Sequence, residues 1–271
     1  MLECTSISVN GLSLISSTYY FTLDGIFNNG KDVIVNDLYS DGQSYNRSKT
    51  QVKQLLLNGY VKTMNVNDFM YLRQILCTNQ LKTFTVTIPY FETLTFQAEI
   101  TNWGMGAIGA FTIACQLEQP DPYLYTLTPE ILGLGSVSTP SLMFPLTFPL
   151  TFGTVSGSSG DIFNSGNTNS YPVITITGAC IPISITNITT GVSMSFNPIT
   201  LADGDILTID MNPSTCGITL YTASTLTTTY RMDLKNGNWI SCLPGNNAFA
   251  FAGNSTEAVQ HCTITLLSRY I

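Results

Sequence analysis

Three stretches in the first half of the chain alternate apolar and polar residues almost without interruption. Phe84, Val86 and Ile88 alternate with Thr83, Thr85 and Thr87. Leu94, Phe96, Ala98 and Ile100 alternate with Thr93, Thr95, Gln97 and Glu99, and Phe111, Ile113, Cys115 and Leu117 with Thr112, Ala114, Gln116 and Glu118. A period of two with a polar face reads as antiparallel sheet buried on one side. The Gly-rich run Gly104 to Gly109 joins the last two stretches and reads as a hairpin loop; no helix follows it and no Lys is near, so it is not a phosphate cradle. Residues 5–40 read as short strands punctuated by Asn10-Gly11, Asp24-Gly25, Asn29-Gly30 and Asp41-Gly42, with a further strand at Gln51 to Val61. Only one segment, over 67–78, has a helical period. Phe69, Leu72 and Leu76 form its apolar stripe, Asn67 is the expected start cap, Asp68 suits the positive end of the dipole, and Asn79 can close it. The stripe reads as a helix packed on a sheet.

The second half has a different texture. Pro120, Pro122, Pro129 and Pro140, with Gly133 and Gly135, read as an extended connector. A short repeat follows: Phe144-Pro145-Leu146-Thr147, Phe148-Pro149-Leu150-Thr151, Phe152-Gly153. A proline every four residues excludes a helix and a central strand. What remains is an edge strand or polyproline-like ribbon, either strapping a core or touching another subunit. Residues 156–170 are mostly Gly, Ser and Asn and are expected to be a mobile loop. From 171 the alternation returns: Ile174 and Ile176; Ile181, Ile183 and Ile185; Val192, Met194 and Phe196; Leu207, Ile209 and Met211; Ile218 and Leu220; Phe249 and Phe251; Cys262, Ile264 and Leu266. Turn residues part these runs at roughly ten-residue intervals, the spacing of a β-sandwich.

Composition agrees with sheet. Charged residues are 10% of the 271, against about 25% in an ordinary domain, while Thr alone occurs 37 times. That excludes a coiled coil, and the 44% apolar content argues against disorder. The formal net charge is −7, and no Lys or Arg occurs in the 148 residues between Lys82 and Arg231. That half cannot neutralise a phosphate backbone, and the seven basic residues from Lys31 to Lys82 are interspersed with four Asp, a mixed solvated face. No nucleic-acid binding is expected. A surface this poor in charge suits a chain that works inside an assembly. The N-terminus has neither the basic nor the apolar part of a signal peptide, and no run approaches 18 apolar residues, so folding in a cytoplasm without membrane insertion is expected. Seven cysteines without a CxxC pair read as buried free thiols of a reducing compartment, and a single histidine, His261, leaves no zinc site.

Catalytic chemistry is sparse. His261 and Cys262 are adjacent in a strand and face opposite sides, which rules against a dyad. Asp203, Asp205 and Asp210 are the densest carboxylates, but Asp203-Gly204 reads as a hairpin turn with Asp205 at its flank. Ser195-Phe196-Asn197-Pro198-Ile199 looks like part of the galectin sugar strand, with Ser195 where that pattern has His and Ile199 where it has Arg. Both sugar-binding groups are missing. The triplets at Asn46, Asn187 and Asn254 fit glycosylation acceptors only by chance in so Thr- and Asn-rich a chain. No catalytic, metal or cofactor-binding residue is expected.

Two stretches are more specific than composition: the Phe144 to Gly153 repeat, and Trp239-Ile240-Ser241-Cys242-Leu243-Pro244-Gly245-Asn246-Asn247, followed by Phe249 and a last strand ending Ser268-Arg269-Tyr270. Together they resemble the distal tail protein family of long, non-contractile-tailed phages (siphophages), with its FPxTFPxTFG-like opening and its W-x-x-L-x-P-G-x-N turn. Val9-Asn10-Gly11 is similar to the family's opening strand and turn, and Cys115 to Tyr125, with Asp121-Pro122-Tyr123, to the end of its first domain. The resemblance implies a mainly β chain in three parts: residues 1–125, a ring-forming, tube-attaching β domain with one helix; 126–143, a connector; and 144–271, a galectin-like β-sandwich. It implies a non-enzymatic structural protein of the virion tail tip, assembled in the host cytoplasm as a homo-hexamer. Its partners would be the tail tube protein and the tail hub or tail-associated protein, and a receptor-binding protein in some tails. Phe144, Pro145, Phe148, Pro149, Phe152, Gly153, Trp239, Leu243, Pro244, Gly245 and Asn246 would then be structural motif residues. In the Trp239 to Asn247 turn, Pro244-Gly245 fixes the bend, Asn246 is expected to tie backbone groups, and Trp239 to anchor it. Two other readings stay open: a carbohydrate-binding adhesion module using the sandwich loops, and a β-sandwich glycan hydrolase.

Overall fold

The computed structural model describes residues 4–28, 31–37, 43–63, 65–78, 80–89, 92–106, 111–135, 137–138, 155–156, 158–254 and 260–271. Asn79, the turns at Asn29-Gly30 and Asp41-Gly42, the loop at 107–110, and Phe144, Pro145, Phe148, Pro149, Phe152 and Gly153 lie outside the described residues. The fold is mainly β, in two compact units: Met1–Leu127 with Tyr270–Ile271, and Thr128–Arg269.

In the first unit the elements are β1 (Ser6–Val9), β2 (Leu12–Ser13), β3 (Tyr19–Asp24), β4 (Lys31–Asp37), β5 (Gln43–Thr50), β6 (Lys53–Val61), α1 (Val66–Leu76), β7 (Lys82–Thr87), β8 (Thr93–Gly106), β9 (Phe111–Gln119) and β10 (Leu124–Thr126). The main sheet runs β2-β1-β7-β8-β9-β6-β3, with β10 also on β8. β8 serves two neighbours in turn. Thr93 to Ala98 pair with β7, and Glu99 to Gly106 with β9, across a bulge between Ile100 and Asn102. The Gly-rich segment therefore begins as strand. Side chains at every second position, among them Phe84, Val86, Leu94, Phe96, Ile113, Cys115 and Leu117, enter one core, on which α1 lays Phe69, Leu72 and Leu76. Burying each large apolar side chain contributes about 1.5–3 kcal/mol. The helix starts earlier than its sequence suggests. Asn65, in extended conformation, is the N-cap and accepts the N–H of Asn67 at 2.9 Å, so Asn67 is already helical and is not the cap. Cys77 caps the other end, its N–H donating to the Arg73 carbonyl.

The second unit holds β11 (Glu130–Gly135), β12 (Val137–Ser138), β13 (Val155–Ser156), β14 (Ser158–Asn164), β15 (Val173–Thr177), β16 (Ile181–Asn187), β17 (Val192–Phe196), β18 (Ile206–Asp210), β19 (Gly217–Thr222), β20 (Thr227–Tyr230), β21 (Lys235–Gly237), β22 (Gly245–Asn254) and β23 (Gln260–Leu266). One sheet runs β11-β23-β15-β18-β19-β20, the other β14-β22-β16-β17-β21, and β12 pairs with β13. Residues of both large sheets fill a single core, Ile174, Ile176, Leu207 and Ile264 from one and Ile185, Met194, Phe249 and Phe251 from the other, so the unit is a β-sandwich.

Three expectations are corrected here. The stretch taken as connector contains β11, because Leu132 and Leu134 face the core at alternate positions and the flanking prolines do not interrupt them. The expected loop at 156–170 contains β14, paired along its length with β22. Its glycine has a packing reason: a Cβ on Gly160 would stand 2.8 Å from Leu132 Cδ1. Finally, Ile181 and Ile183 are exposed and only Ile185 is buried. A register shift between Pro182 and Ser184 interrupts the strict period of two.

Candidate interaction surfaces

The groups that could have carried chemistry are committed to the fold. Asp205 is buried, and its carboxylate accepts the N–H groups of Ala202 and Ala223, each at 2.9 Å. Asp210 accepts from the Asn212 N–H at 2.9 Å and the Thr215 hydroxyl at 2.6 Å. Asp203 is exposed on the turn. These carboxylates close turns and do not face one another as an acid–base pair. His261 Nδ1 lies 3.0 Å from the Thr177 carbonyl, and burial pushes the neighbouring Cys262 thiol up to about 12, far from a reactive thiolate. Ser195 donates its hydroxyl to the Asn236 carbonyl at 3.2 Å, and Ile199 packs on the sandwich core. Among the described residues no cluster of three His, Cys, Asp or Glu could hold a metal ion, and no helix is long and apolar enough to cross a membrane.

The Trp239 to Asn247 segment is a hydrogen-bonded turn at the start of β22. Gly245 has φ +93°, a conformation that favours glycine. The polar work falls to Asn247, not Asn246, which is exposed. Asn247 Oδ1 accepts the Leu243 N–H at 2.9 Å, and its Nδ2 donates to the carbonyls of Leu243 at 2.7 Å and Gly245 at 3.0 Å. Pro244 and Leu243 lie exposed at the bend, while Trp239 packs against the core under the Lys235 ammonium, 5.1 Å from its ring. At the end of β9, Asp121 accepts from the Tyr125 hydroxyl at 2.6 Å and from the Tyr123 N–H at 3.4 Å, and Pro122 holds the bend between them. Beneath it, Lys53 donates to the Ile26 carbonyl at 3.1 Å. Burial lowers its pKa to about 8, with Asp121 opposing the fall.

The outward face of β8-β9-β6-β3 is the surface that sequence reasoning missed. Cross-strand rows set its composition: Tyr20 opposite Tyr60, Tyr60 opposite Thr112, and Thr112 opposite Gly106; then Thr22 opposite Asn58, Asn58 opposite Ala114, and Ala114 opposite Gly104. Small residues in the middle leave a shallow depression of about 510 Å³ edged by Tyr20 and Tyr60, whose rings lie 5.5 Å apart. Tyr20, Leu56 and Tyr60 are about two-fifths exposed, at 38%, 44% and 39%. On α1 the outward side shows Met70 and Tyr71, and the Arg73 guanidinium lies 5.3 Å over the Trp103 ring. The parity of the strands would have placed both tyrosines outward; nothing in the sequence alone marks them as one row.

No family model matches the sequence, and no curated protein matches it significantly. Solved structures do match. The chain is similar to the SPP1 Dit protein, described as a paradigm of the hub adsorption apparatus of phages infecting Gram-positive hosts, with TM-score 0.56 and 13% identity over 98% of this chain and 99% of that one. It is also similar to a chain of the phage P2 baseplate in its activated conformation with calcium, at TM-score 0.53 and 9% identity over 99% and 98% of the two chains. For the same baseplate with strontium the values are 0.51 and 10%, over 98% of each. At such identities the likeness is one of fold, and it extends through both units: the fold is that of siphophage distal tail and baseplate hub proteins.

Proposed function

We propose that this chain is a structural protein of a phage tail tip, in which six copies form a ring that joins the tail tube to the baseplate hub. The observation that carries the reading is the length of the likeness: both units, over 98% of the chain, follow the SPP1 Dit protein. In this reading the first unit forms the ring and attaches to the tube, and the second unit, which includes the Phe144 to Gly153 repeat in its sequence, is a galectin-like sandwich that holds neighbouring tail proteins, including a receptor-binding protein. The motif residues from Trp239 to Asn246 and at Asp121 to Tyr123 are structural. The chain is assembled in the host cytoplasm and works at the tip of the virion tail. No catalysis is proposed: Asp205 and Asp210 accept backbone N–H groups of neighbouring turns, and His261 Nδ1 meets the Thr177 carbonyl of the adjacent strand. An acidic, charge-poor first domain also suits a channel through which DNA passes without adhering.

Negative-stain microscopy with light-scattering mass tests the ring. Closed rings with a central channel, at roughly six times the 29.5 kDa chain mass, are expected from a head-to-tail interface that closes. A monodisperse monomer at every concentration, together with selective binding on a glycan array, would replace this reading with the adhesion module.

A further inference from the structure

We infer that the open edge of β20 in the sandwich is a self-association site, where β20 of a second copy of this chain adds to the sheet in antiparallel pairing. β20 is the last strand of its sheet and pairs with β19 alone, from Thr219 opposite Tyr230 to Thr222 opposite Thr227. Ladder bonds alternate along an antiparallel pair. One step beyond the strand, Arg231 donates its N–H to the Ile218 carbonyl at 2.8 Å. That parity turns the backbone groups of Thr227 and Thr229 toward β19 and those of Thr228 and Tyr230 outward. Among the described residues nothing bonds the outward N–H and C=O groups of Thr228 and Tyr230, and all four residues of β20 are exposed.

Sheets in water blunt such edges with charge, proline, a bulge or a short strand. The other edges of this sandwich are blunted. β11, at the far side of the same sheet, begins with Glu130 and has a register shift between Leu134 and Gly135. In the second sheet β14 exposes Asp161, and β21 is three residues long and carries Lys235. β20 has none of these guards: Thr225 to Tyr230 contains no charge and no proline, and its Thr and Tyr favour strands. The apolar side chains beside the edge share one parity and stand in water, Leu226 at 76%, Tyr230 at 71% and Met232 at 45% exposure. Tyr230 is also held in place across the strand: a Cβ on Gly217 would stand 2.9 Å from its Oη.

The edge is complementary to itself. Two copies related by a two-fold axis through Thr229 set Thr228 of each opposite Tyr230 of the other. Every outward N–H then meets an outward C=O, and Leu226 of each copy comes beside Met232 of the other. This is an isologous contact, so it stops at a pair and is separate from any interface that closes a ring. It is also small, so the association depends on concentration.

Light-scattering mass over a concentration series tests this, with circular dichroism as the check on folding. Thr228→Pro removes one outward donor and leaves the β19 ladder intact, as an edge strand tolerates. At high concentration the wild-type mass is expected to approach twice that of Thr228→Pro, whether the smaller unit is one chain or a ring. Equal masses would overturn the proposal and leave the edge to a strand of another protein. Crosslinking fixes the register in chains whose Cys4, Cys77 and Cys216 are replaced by Ser. Thr229 faces its own counterpart as a non-hydrogen-bonded pair, within disulfide reach. Mild oxidation of Thr229→Cys should therefore give at least tenfold more covalent dimer than Thr227→Cys. Equal yields from the two would overturn the antiparallel pairing.

Discussion

The side-chain amide of Asn187 donates to Asn247 Oδ1 at 3.2 Å, and both residues are fully buried in the sandwich. Asn187 also donates to the Ser241 carbonyl at 2.9 Å, while Asn247 serves Leu243 and Gly245. One amide pair therefore ties the end of β16 to the turn that opens β22. Truncation would leave several buried backbone groups without partners, at about 1–3 kcal/mol each. Asn247→Ala is expected to lower the stability of the second unit by about 3 kcal/mol, read from urea unfolding. The exposed neighbour is the contrast: Asn246→Ala should stay within about 0.5 kcal/mol of the wild type. Equal effects of the two would mean that the turn is held by its proline and glycine alone.

The same pair shows what the sequence reveals and what it hides. The motif from Trp239 to Asn247 was legible as a turn because Pro244-Gly245 has few other uses. Which asparagine does the bonding was not, since that depends on strand parity at the start of β22, where Asn247 faces in and Asn246 out. Asn187 stands in a triplet that resembles a glycosylation signal, yet it is buried at the centre of this network. Alternation located most core strands correctly, Ile174, Ile209 and Phe249 among them. It failed where a bulge shifts the register after Pro182, and where small residues are selected by a close neighbour, as at Gly160 beneath Leu132. Both failures come from tertiary contacts that a window of sequence does not contain. The outward row of Tyr20 and Tyr60 was hidden for a related reason: its members are about forty residues apart and meet only through register.

Gly59 illustrates the close-approach rule in the first unit. It stands opposite Phe21, and a Cβ there would fall 2.3 Å from Phe21 Cγ and 2.3 Å from the Tyr20 carbonyl oxygen. The backbone atom cannot move aside without disturbing the pairing of β3 with β6. Gly59→Ala is expected to cost about 3 kcal/mol. Gly104→Ala, on the same sheet with nothing within 4 Å of its Cβ, should cost less than about 1 kcal/mol. Thermal unfolding of the two variants side by side decides the matter, and a well-folded Gly59→Ala at wild-type stability would contradict the described strand spacing.

The helix cap offers a third comparison. Asn65 accepts the Asn67 N–H, whereas Asn67 lies inside the first turn. Asn65→Ala should cost about 1 kcal/mol, and Asn67→Ala should leave stability within a few tenths of a kcal/mol. The reverse order, measured by urea unfolding, would move the start of the helix to the position its sequence suggests.

Alkaline pH should unfold the protein through its buried thiols. Burial holds Cys115, Cys242 and Cys262 protonated up to about 12 and Cys180 up to about 11, against 9.0 for an exposed thiol. Above pH 9 the folded state then binds more protons than the unfolded one, so stability falls as pH rises. Lys53 acts in the opposite sense. Its pKa is lowered from 10.5 to about 8, so between those values the unfolded state binds more protons and stability rises with pH. Burial also lowers the Lys82 pKa and raises that of Cys4, so two lysines set against five thiols give a shallow rise followed by a decline. Urea midpoints taken under reducing conditions from pH 7 to 11 should trace that shape, and Lys53→Met should reduce the rise while keeping the decline. The same burial predicts thiol reactivity at neutral pH. Of the seven cysteines, the partly exposed Cys4, Cys77 and Cys216 should react with a thiol-specific dye well before the buried four, and all should react in denaturant. Stability that stays level to pH 11, or seven thiols reacting at one rate in the folded protein, would show that these side chains are open to water.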